Sequence, residues 1–96
     1  MQYFHRTSAP ADDVLEIADE FLAGKLAIAE RSDRTRTYSG SIGTLKVQVR
    51  PEGGHYTLIT IATDQVTESE ADKTAKRLLG LIHKKVDPKH QLRGAY

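Results

Sequence analysis

The chain has 96 residues, a formal net charge of +1 and no cysteine, with 39% apolar and 28% charged side chains. That length suits one domain with a single two-layer core. The missing cysteines exclude disulfides, thiolate metal sites and a cysteine nucleophile, and the near-zero charge gives no bulk electrostatic case for nucleic acid or an anionic membrane.

No apolar run approaches eighteen residues and no basic-then-apolar leader opens the chain, so the expected location is cytoplasmic, with no membrane partner. Gln2–Thr7 (QYFHRT) has two aromatics and no breaker, and reads as a short strand. Ser8-Ala9-Pro10 then predicts a helix start, with serine as cap, proline in the first turn, and Asp12 and Asp13 near the positive helix end. Val14, Ala18, Phe21 and Leu22 fall on one stripe, with Leu15 and Ile17 at its margins and Gly24 as the stop.

Leu26 and Ile28 alternate with alanines, and Arg31–Arg34 forms a turn signal. A hairpin with arms 26–31 and 34–39 follows, its second arm placing the threonines on one face and Arg34, Arg36 and Tyr38 on the other. Gly40–Gly43 is a further turn. The runs TLKVQVR and HYTLITIAT flank Pro51–Gly54, the pattern of an antiparallel hairpin. A four-residue loop sets Arg50 opposite His55, and pairs Val49 with Tyr56, Val47 with Leu58 and Leu45 with Thr60. Leu45, Val47, Val49, Tyr56, Leu58 and Ala62 then share the inward face. The outward face holds Thr44, Lys46, Gln48, Arg50, His55 and Thr57, but also Ile59 and Ile61.

Thr67-Glu68-Ser69-Glu70 has the spacing of a capping box. The helix it opens runs to about Val86, with Ala71, Ala75, Leu78, Leu79, Ile82 and Val86 on its apolar stripe. Asp87-Pro88 ends it, and 89–96 reads as a polar tail outside a single domain spanning 1–88. The expected fold class is α+β, order β-α-β-β-β-β-α, with an antiparallel sheet and two helices on one face. A helix–three-strand–helix arrangement, α-β-β-β-α, is the alternative if 2–7 and 26–31 are not strands. In this packing scheme both Leu58→Ala and Leu78→Ala are expected to be strongly destabilising.

The opening FHRTSAPADDVLEIAD, followed by strands and a long final helix, resembles the helix-grip superfamily of polyketide cyclases, START lipid-transfer domains and birch-pollen-allergen-like proteins. Ala9, Pro10, Asp12, Asp13 and Val14 carry the likeness, and Thr67–Val86 would be the gripped helix. The resemblance implies a shortened version of that fold and transfers no catalytic residue. Asp72-Lys73-Thr74-Ala75-Lys76 also resembles the lysine-rich helix start of double-stranded-RNA-binding domains, with an aspartate where the first lysine would stand.

His55, beside Tyr56 and near Glu52, is a candidate ligand or base at the hairpin tip, or simply a turn-flanking residue. Asp64, Glu68, Glu70 and Asp72 form an acidic cluster that capping and dipole complementarity explain in large part. The open sheet face, together with the Glu52–Tyr56 hairpin tip, is the sharpest candidate, with Arg34, Arg36, Lys46, Arg50, His55 and Tyr56 as contact residues. Ile59 and Ile61 on that face would need a cover, supplied within the chain or by a second copy. Neither metal spacing, a phosphate loop nor a nucleophile motif is present, so no catalytic residue, metal or cofactor is assigned. The sequence therefore suggests a small non-enzymatic binding or protein-interaction module, its partner a second copy of itself or another protein. A nucleic-acid binder using the basic face is the alternative, and a small-ligand carrier or enzyme with His55 at a pocket mouth the third reading.

Overall fold

The computed structural model describes residues 1–53 and 56–86, excluding the side chains of 85 and 86. Seven elements follow in order: β1 (Gln2–Thr7), α1 (Ala11–Leu22), β2 (Ala27–Arg31), β3 (Thr35–Gly40), β4 (Gly43–Glu52), β5 (Tyr56–Thr63) and α2 (Glu70–Val86). The expected α+β order is thus the observed one, and the three-strand alternative falls. One antiparallel sheet, ordered β1-β5-β4-β3-β2, holds all five strands.

The central hairpin departs from expectation. Val49 faces Ile59, Val47 faces Ile61 and Leu45 faces Thr63. Pro51 and Glu52 belong to the strand, with Glu52 opposite Tyr56, so the connection is shorter than the anticipated four-residue loop. The register moves by an odd number of residues, which turns every β5 side chain to the opposite face. Ile59 and Ile61 are both 0% exposed, whereas Tyr56 points outward at 49%. This pairing puts two isoleucines in the core instead of Leu58 and Ala62, and removes the puzzle of two isoleucines facing water.

The inward face carries Tyr38, Leu45, Val47, Val49, Ile59 and Ile61, which join Val14, Leu15, Ala18 and Leu22 of α1 and Ala71, Ala75, Leu78 and Ile82 of α2 in one buried cluster. Those alanines let α2 approach closely and fill the space beneath it. Tyr38 and Tyr3 lie on this same face; the Tyr38 hydroxyl donates to Asp19 of α1 and the Tyr3 hydroxyl to Asp72 of α2.

Both helix starts differ in detail. Pro10 itself is the N-cap of α1, with no side-chain cap, while Thr7 Oγ1 accepts from the Ala9 amide at 3.2 Å. α2 begins three residues after Thr67. Ser69 Oγ accepts from the Asp72 amide at 3.1 Å, and Asp72 Oδ2 accepts from the Glu68 amide at 3.0 Å. The serine-to-aspartate spacing therefore caps the helix, in place of Thr67 and Glu70. The expected tail 89–96 lies outside the described residues.

Candidate functional site

The alternation of β1, β5 and β4 exposes one side chain in two on the sheet face away from the helices. Cross-strand pairing arranges them in rows: Gln2, Ala62 and Lys46; then Phe4, Thr60 and Gln48; then Arg6, Leu58 and Arg50; and Tyr56 beside Glu52. Phe4 is 63% exposed, on a sheet surface rather than in a loop. Gln2, Phe4, Gln48, Arg50, Leu58 and Thr60 ring a shallow depression of about 220 Å³.

Charge on this face is largely self-compensated. Glu52 Oε1 accepts from Arg6 Nε at 2.7 Å, while its Oε2 lies 3.7 Å from Arg50 Nη2. The hydrogen bond from Arg6 holds the Glu52 carboxyl below its usual range. Lys46 makes no ion pair among the described residues, so it is the one uncompensated cation of the three.

The six contact residues named from sequence do not share one surface. Lys46, Arg50 and Tyr56 do occupy the open face. Arg36 does not: it pairs with Val47, points toward the helices, and its side chain is 12% exposed. Arg34 sits in the turn before β3 and lines, with Arg36, a different concavity. His55 lies outside the described residues. The error over Arg36 is one of parity, because Arg36 and Tyr38 fall on the same face as Leu45 and Val47 once β3 is paired with β4.

That second concavity is an open cleft of about 770 Å³ between α1 and the β2–β3 connection. Asp12, Glu16 and Asp19 line one side at helical spacing, and Arg31, Arg34 and Arg36 the other. Arg36 Nε donates to Asp19 Oδ2 at 3.3 Å, and its Nη1 donates to the carbonyls of Ser32 at 2.6 Å and Thr35 at 2.9 Å. Asp19 Oδ1 accepts from the Tyr38 hydroxyl at 2.7 Å. Burial, reinforced by Asp19, keeps the Tyr38 phenol strongly protonated.

No family model matches this chain, and no curated protein matches it. Similarity therefore transfers no residue role, and the site rests on its own geometry.

Two further clusters escaped the sequence reading. Asp72 is completely buried, yet it accepts from Tyr3 and from the Glu68 amide and lies 3.2 Å from Lys76 Nζ. The Tyr3 hydrogen bond is the main reason its carboxyl sits below the ordinary range. An aspartate three residues after a serine was the available signal. His5 and His83, far apart in sequence, meet edge to face with centroids 6.1 Å apart. No group of three metal-ligating side chains forms among the described residues.

Proposed function

We propose that the chain is a non-catalytic protein-interaction module whose contact surface is the open face of the sheet, centred on Phe4 and Leu58. The observation that carries this reading is the exposed Phe4 ring, which stands beside a depression with room for one large apolar side chain. An apolar centre with a polar border is the anatomy of a protein contact, and an aromatic anchor supplies much of the energy in such contacts. The partner's complementary feature is an apolar side chain flanked by a carboxylate, which would meet Lys46, the uncompensated cation of this face.

Charge favours a protein partner over nucleic acid. A phosphate-tracking surface works through several free cations, and here Glu52 already engages Arg6 and Arg50. The β-α-β-β-β-β-α order also supports the proposal of a shortened helix-grip fold. Its helix–sheet space is occupied by Ala71, Ala75 and Leu78, which favours an external contact over an enclosed ligand.

A photo-cross-linking phenylalanine analogue at position 4 tests the proposal in cells. The expected result is discrete protein adducts that disappear in the Lys46→Glu/Arg50→Glu variant and are absent when the probe stands at Lys73 on α2. Adducts with nucleic acid alone, or equal adduct patterns from positions 4 and 73, would overturn it.

A further inference from the structure

The cleft between α1 and the β2–β3 connection has no part in the proposed protein contact. Opposite charges line it, most of them without an ion pair among the described residues. Among the described residues, Arg36 and Asp19 form its one ion pair; Asp12, Glu16, Arg31 and Arg34 make none.

Arg36 is prepared as an anion ligand. Three hydrogen bonds through Nε and Nη1 fix the guanidinium, and none of the hydrogen bonds among the described residues uses Nη2. Among the described residues no buried side-chain nitrogen lacks a partner, so Nη2 is the edge of this largely buried side chain left open, on a residue that lines the cleft. A guanidinium already held in place loses little freedom when its remaining Nη2 edge donates to an oxyanion.

A bare anion nevertheless fits poorly. Asp12, Glu16, Asp19 and Asp33 outweigh Arg31, Arg34 and Arg36 among the lining residues, so the cleft carries a slight excess of negative charge. A bare cation would in turn meet three arginines. We infer that the cleft binds a small organic zwitterion, its oxyanion end on Arg36 Nη2 with Arg31 and Arg34, and its ammonium end on Asp12 and Glu16. Such a ligand matches both walls and displaces no existing ion pair.

Titration of isotope-labelled protein with O-phosphoethanolamine, followed by amide chemical shifts, tests this directly. Saturable shifts are expected within 12–19 and 31–36, with inorganic phosphate and ethylammonium each binding at least about tenfold more weakly. Arg34→Gln and Glu16→Gln replace exposed side chains, so both variants should keep the native spectrum while each weakens binding about fivefold. The inference is overturned if no shift saturates in the millimolar range, if phosphate or ethylammonium alone binds as well, or if either variant binds like the parent. Variants of the open face should leave the titration unchanged, which separates this test from that of the protein contact.

Discussion

At the scale of single residues, Leu58 and Ile59 report the register most directly. Ile59 is fully buried opposite Val49, whereas Leu58 is half-buried between Arg6 and Arg50 on the outer face. Ile59→Ala should therefore cost about 2–5 kcal/mol, and Leu58→Ala less than about 1.5 kcal/mol. Urea denaturation of the two variants checks the pair, and a larger loss from Leu58→Ala would contradict the observed pairing. Leu78→Ala, at a fully buried position of α2, remains a severe change. Gly43 has φ +125°, and a Cβ there would lie 2.7 Å from Gln65 Cγ and 2.8 Å from Asp64 Oδ1. Gly43→Ala is thus expected to destabilise by about 1–3 kcal/mol, read in the same assay. The inward side chains of β4 were legible from their alternation. Those of β5 were not, because Tyr56, Leu58 and Ala62 compete with Thr57, Ile59 and Ile61 on nearly equal apolar terms, and a short glycine-rich loop decides between them.

At the scale of elements, the helices are fastened to the sheet by tyrosines. Tyr38 of β3 reaches Asp19 of α1, and Tyr3 of β1 reaches Asp72 of α2. Tyr38→Phe keeps the ring packed but removes one hydrogen bond to a carboxylate, an expected loss of about 1–2 kcal/mol in thermal or chemical unfolding. Removing the hydroxyl of Ser69 withdraws the cap of α2 and should cost about 1 kcal/mol, whereas Thr67→Ala should be close to neutral. Element types and order could be read from periodicity, turn residues and the acid-rich helix starts. The cap of α2 could not be fixed by spacing alone, since Thr67–Glu70 and Ser69–Asp72 both satisfy the motif. Arg36 escaped for another reason: a charged residue alternating with threonines looks solvent-facing until a helix carboxylate is known to lie above it.

Taken as a whole, the molecule has two acid-side titrations of the same sign. Burial, with the His83 ring nearby, pushes His5 below its ordinary imidazole value, so the fold favours its neutral form. The unfolded chain then takes up the proton first, and stability declines as pH falls below about 6.5. Glu52, Asp64 and Asp72 have depressed values, so their contribution is present above the ordinary carboxylate range and is lost as pH falls through it. Urea midpoints should therefore drop between about pH 7.5 and 5.5 and again below about pH 4, and His5→Gln should flatten only the first step. The location of the cleft was not legible in the sequence, because it depends on α1 and the β2–β3 connection meeting across the edge of the core. Its arginines were visible, but their common destination was not.

Among the described residues, β1 has a single neighbouring strand, β5, and pairs with it from Gln2↔Ala62 to Thr7↔Thr57. The pairing joins residues 50 to 60 positions apart, so loop-closure entropy predicts that β1 docks late in folding and that β5 offers a bare edge until then. A neighbouring molecule's opening segment carries the same residues and would fill that edge equally well. Crowded refolding should consequently yield strand-exchanged pairs, whereas dilute refolding should return single chains.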